Sequence, residues 1–134
     1  MLKRQWEHIQ LNSYADWLNI KDGIQTLSPQ ICGFDTETTG LHIKLDKPFL
    51  LQFGFLHPTN PNKGFTFLID FRTTEGWKDI AEEWFSIASK AQLNLACNIK
   101  FDLHMLENVG INIRDDNLAE LQAYIRYACD ALHV

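Results

Sequence analysis

Asp35 and Glu37 stand two residues apart at the end of the apolar stretch Ile31-Cys32-Gly33-Phe34. Residues two apart on a strand point to the same face, so the two carboxylates are neighbours. Like charges this close repel, and burial strengthens the repulsion. A hard divalent cation, which prefers oxygen ligands, relieves it most simply. A solvated strand end that binds nothing is the plainer alternative. Further along, Asn98-Ile99-Lys100-Phe101-Asp102 follows a short apolar run, Leu93 to Cys97, and opens a helix. That sets Asp102 in the first helical turn, near the end of the preceding strand. If that strand lies parallel beside the Asp35 strand, the C-terminal ends of both share the edge where open α/β sheets place their sites. Taken alone, Asp102 reads as a first-turn carboxylate favoured by the helix dipole.

The elements that must position these residues follow from spacing. Trp6 to Gln10 reads as a short strand. Ser13 suits the N-cap of a helix whose apolar side is Tyr14, Trp17, Leu18 and Ile24, and Ser28-Pro29 ends it. The strand from Ile31 is broken by Thr38-Thr39-Gly40, and Phe49 to Leu56 has the apolar density of a central strand. The turn chemistry of residues 57–64 then joins it to a third strand, Phe65 to Asp70. Over residues 76–90 the period changes, with Trp77, Ile80, Ala81, Trp84, Phe85, Ile87 and Ala88 on one helical face. Leu93 to Cys97 reads as a buried strand. Phe101 to Val109 is again helical and stops at Gly110. A last helix is expected from Asn117, which with Glu120 forms a capping box, and carries Leu118, Leu121, Ile125, Ala128 and Leu132. Three hairpin-joined strands must be antiparallel, and the helix before Leu93 permits a parallel return to the sheet. The expected class is α/β, a mixed sheet flanked by helices. No glycine-rich strand-to-helix turn is present, which argues against a Rossmann or P-loop domain.

The chain of 134 residues is one domain's worth of protein and long enough to bury a core. Its formal charge of −5 disfavours binding nucleic acid through a broad basic face, but not a cluster of carboxylates around a metal. Cys32, Cys97 and Cys129 are too scattered for a disulfide framework or a zinc ribbon. The N-terminus lacks a signal-peptide core and no run is long enough to span a membrane, so a cytoplasmic location is expected and no membrane partner.

GFDTETTGL (residues 33–41) and ACNIKFDLHML (residues 96–106) resemble the first and second motifs of DEDD-type 3′–5′ exonucleases, and most closely the proofreading domains of family A, phage-type, DNA polymerases. The likeness runs from about Trp6 onward. It implies a ribonuclease H-like fold and a site of two cations, Mg²⁺ or Mn²⁺, that clamp the scissile phosphate. It makes Asp35, Glu37 and Asp102 three of the four metal-binding acids. By the same likeness Thr38 contacts the 3′-terminal nucleotide, Leu41 wedges against terminal bases, and Asn98 and Phe101 flank the substrate. Read from the residues alone, Leu41 and Phe101 also suit a plain core, and Asn98 a helix cap. The implied substrate is a single-stranded or frayed DNA 3′ end, and the implied partner a polymerase domain. A DEDD exoribonuclease and a catalytically inactive binding module are the alternatives. The fourth acid belongs to a Tyr- or His-x-x-x-Asp motif that is not present; Tyr127 and Asp130 are spaced by three, which leaves Asp130 a weak candidate. Residues 1–134 are therefore expected to be an exonuclease domain whose third motif lies beyond Val134.

Overall fold

The computed structural model describes residues 5–60, 62–96 and 99–113. Asn98, Cys97, Cys129, Asp130 and the helix expected from Asn117 lie outside the described residues. The elements are β1 (Gln5–Gln10), α1 (Tyr14–Leu27), β2 (Ile31–Thr38), β3 (Pro48–Leu56), β4 (Lys63–Asp70), α2 (Trp77–Ala88), β5 (Leu93–Ala96) and α3 (Ile99–Glu107). The strands form one sheet in the order β1-β4-β3-β2-β5. As expected, β2–β3 and β3–β4 are antiparallel hairpin pairs and β5 returns parallel to β2. β1, whose place the sequence pattern left open, pairs parallel with β4 at the sheet edge. Only β3 runs against the other four strands, so β2 and β5 end at the same edge.

One face of the sheet carries an aromatic core. Phe34, Phe53 and Phe67 lie in cross-strand register, and Phe55 joins them, all at most 2% exposed. Trp17 of α1 meets Phe53 edge-on at 6.0 Å, Trp84 of α2 lies 4.8 Å from Phe53, and Phe85 meets Phe34 edge-on at 5.2 Å. Each such buried side chain contributes roughly 1.5–3 kcal/mol.

Local chemistry sets the helix ends. The Ser13 side chain accepts from the Asp16 amide at 3.2 Å, the expected N-cap. Ser28 closes α1 in the left-handed region (φ 53°) and donates to the Ile24 and Gln25 carbonyls. Across the helices, the Tyr14 hydroxyl donates to Glu83 Oε2 at 2.6 Å and Lys21 pairs with Glu83 Oε1, tying α1 to α2. α3 begins two residues before its apolar spacing suggests and ends on Gly110 at φ 82°. There the Gly110 amide donates to the Glu107 carbonyl and the Ile111 amide to Leu106, the αL closure that glycine favours. Gly54 is needed for a different reason: a Cβ there would lie 2.2 Å from the Phe65 carbonyl oxygen of the neighbouring strand.

Candidate active site at the end of β2

Strand alternation divides β2. Phe34 and Thr36 turn toward the helices and are buried. Asp35 and Glu37 turn to the other face, opposite Gln52 and Leu50 of β3. Asp35 is half-buried and Glu37 exposed. Burial pushes the Asp35 carboxyl above its ordinary value, the Glu37 charge pushes it further the same way, and a hydrogen bond from the Thr36 backbone opposes both. The pair is thus a short-spaced, partly desolvated, all-oxygen donor set whose charge is unfavourable without a cation. That fits a hard divalent metal.

Asp102 reaches the same strand by a different route. It lies in the first turn of α3, is 1% exposed, and its Oδ1 accepts the Thr36 hydroxyl at 2.5 Å. The contact is therefore with the residue between the two strand carboxylates. Among the described residues no three His, Cys, Asp or Glu side chains gather as a metal cluster. Placing β5 beside β2 brings Asp102 to the Asp35 strand, as the spacing argument required, but not into a three-carboxylate group with Asp35 and Glu37.

Beyond Glu37 the ladder slips. Glu37 pairs with Leu50 and Thr38 with Pro48, so Phe49 is skipped. Irregularities of this kind end pairing and re-aim side chains next to sites. Thr38 is half-buried and its hydroxyl donates to the Gly40 carbonyl at 2.7 Å, which leaves its oxygen free to accept only. The loop that follows is organised by Asp46, whose carboxylate accepts from Thr39 Oγ1 at 2.9 Å and the His42 amide at 2.8 Å. Gly40 is where that carboxylate packs, since a Cβ there would come within 2.5 Å of it. Leu41 is exposed, which removes the plain-core alternative for it, and Phe101 is half-buried. His104 is exposed.

Three residues that organise this region were not singled out by motif. Thr36 carried a signal, a polar residue at a core-facing strand position. Asp46 and Asn108 carried none, because their roles depend on loop geometry: the Asn108 side chain donates to the carbonyls of Ile43 at 2.7 Å and Asp46 at 3.0 Å.

No protein-family model and no curated protein matches the sequence. Solved structures do match in fold. An EXD2 exonuclease domain soaked in Mn superposes with a TM-score of 0.59 at 19% identity, over 92% of this chain and 61% of that one. A second EXD2 exonuclease domain structure gives 0.54 at 17% identity, over 92% and 64%. The Aedes aegypti Nibbler EXO domain gives 0.53 at 10% identity, over 89% and 56%. The chain spans less than two thirds of the length of each. The mixed five-stranded sheet flanked by helices is the ribonuclease H-like fold of these exonuclease domains.

Proposed function

We propose that the chain is the catalytic part of a metal-dependent 3′–5′ exonuclease that hydrolyses nucleic-acid ends to nucleoside monophosphates, with DNA 3′ ends as substrate. The observation that carries this is the Asp35–Glu37 pair, partly buried and mutually repelling, at the strand edge of an exonuclease-type fold. The fold neighbour soaked in Mn is consistent with divalent-metal use. The family A polymerase context and the DNA preference rest on the likeness of GFDTETTGL and ACNIKFDLHML alone.

In this reading Asp35 and Glu37 hold the cation, and Asp102 is the third acid, kept in place by the Thr36 hydroxyl. When bound, such a cation neutralises phosphodiester charge and acidifies water. The half-burial of Asp35 excludes bulk water from one side of the pair, which strengthens its grip on positive charge. Thr38, Leu41, Asn98 and Phe101 are assigned to the substrate, with the exposed Leu41 set against terminal bases.

One observation favours a second reading. Asp102 is buried with its Oδ1 held by the Thr36 hydroxyl, an arrangement that also suits a module that binds nucleic acid without turnover. One experiment separates the two. The full chain is incubated with 5′-labelled single-stranded DNA and matched RNA in Mg²⁺ or Mn²⁺. Stepwise shortening from the 3′ end, abolished in Asp35→Asn/Glu37→Gln, supports the nuclease. Equal shortening by that variant overturns the site. Retention of the strand without shortening supports the binding module.

A further inference from the structure

Three of the four large apolar side chains left exposed among the described residues lie in one loop: Leu41 at 86%, Ile43 at 42% and Leu45 at 77%. Large apolar side chains exposed together in one loop are candidates for a contact site. The loop is firmly held. The Thr39 amide donates to the Lys47 carbonyl, and the Lys47 amide donates to Thr39 Oγ1. His42 Nδ1 accepts from the amides of Lys44 and Leu45, each at 3.2 Å. Asn108, just past the end of α3, donates to the carbonyls of Ile43 and Asp46. The apolar crest is therefore pre-ordered, which lowers the entropy cost of binding. Lys44 and Lys47, both exposed, interleave with it, and the loop starts two residues after Glu37.

We propose that Ile43 and Leu45 form a contact surface for the unpaired bases of a nucleic-acid strand whose phosphates face Lys44 and Lys47, and that Asn108 is the positioning residue that holds this surface next to the site. The inference rests on the nuclease reading for its choice of partner. Apolar side chains meet base faces only where the bases are unstacked, whereas a duplex offers phosphates and groove edges. The pairing of two lysines with three apolar side chains matches a single strand, which presents both charge and ring faces.

The test measures binding of the full chain to a fluorescein-labelled single-stranded oligonucleotide and to its duplex, by anisotropy in EDTA. Wild type is expected to prefer the single strand. Ile43→Ser/Leu45→Ser is expected to weaken that binding about tenfold, the scale of one base contact, at an unchanged melting temperature because both residues are exposed. Asn108→Asp, which removes the donors at constant size, is expected to weaken it less, and to add nothing in the Ile43→Ser/Leu45→Ser background. Unchanged affinity in the double variant, no preference over duplex, or an additive Asn108 effect overturns the inference. So does a wild-type dimer that the double variant dissolves in sedimentation, because the crest would then face a second copy. Hydrolysis by wild type with unchanged binding by the double variant defeats this inference and spares the nuclease. Strand binding lost in the double variant, without any hydrolysis by wild type, does the reverse.

Discussion

At Asp35 a charge is held where burial and Glu37 both oppose it. A carboxyl whose folded pKa is raised binds its proton more tightly when folded. Stability is then greatest below the unfolded pKa and declines as pH rises through the window between the unfolded and the raised folded values. At neutral pH the charge is a net cost. Asp35→Asn is accordingly expected to melt higher than wild type at pH 7 in EDTA, and Mn²⁺ to raise the melting temperature of wild type but not of the variant. A lower melting temperature for the variant in EDTA contradicts this. Thr36 makes a second, separable expectation. Thr36→Val removes the donor to a buried carboxylate and should cost about 1–3 kcal/mol in urea unfolding, while Thr36→Ser keeps the hydroxyl and should recover most of it. The carboxylate pair was legible because strand spacing alone puts Asp35 and Glu37 on one face. The route of Asp102 was not, because a residue 66 positions away meets Thr36 only once β5 has paired with β2.

Among the elements, the α1–α2 contact couples charge to packing. Burial alone would raise the Glu83 carboxyl, but the bonds from Lys21 and Tyr14 outweigh it and leave it below its ordinary value. A depressed carboxyl stabilises the fold above its unfolded pKa and loses that contribution as pH falls through the folded one. Glu83→Gln should therefore lower the melting temperature at pH 7, with the gap to wild type closing in strong acid. Beneath this tie, Trp84 is fully buried against Phe53 and Phe55, and Trp84→Ala should cost about 3–5 kcal/mol in the same unfolding measurement. Helices and hairpins were readable from periodicity, caps and turn residues, and α1, β2, β3 and α2 fall close to where those signals put them. Element ends were less so. β4 starts at Lys63 rather than Phe65, because the Lys63 backbone pairs with Gln5 of β1, a partner its own side chain does not announce.

For the molecule as a whole, the sheet is one body with a borrowed edge. Nothing in the pattern of Trp6 to Gln10 says that it lies against β4 rather than beside β2, its neighbour after α1. The crossover is long-range: β1 takes the β4 edge and β5 the β2 edge. Removing residues 1–12 would bare the β4 edge along Lys63 to Leu68. An exposed edge of this kind invites pairing between chains, so the truncated chain should scatter light at concentrations where the full chain stays clear. The same arrangement orders events during synthesis. β1 is made before the other strands of this sheet, yet its partner residues 63–68 come nearly sixty positions later, so it stays unpaired while β2 and β3 are made. Until β4 arrives, Trp6 lacks the Gly64 surface it rests on, and β1 must wait as an unpartnered strand for the hairpins behind it.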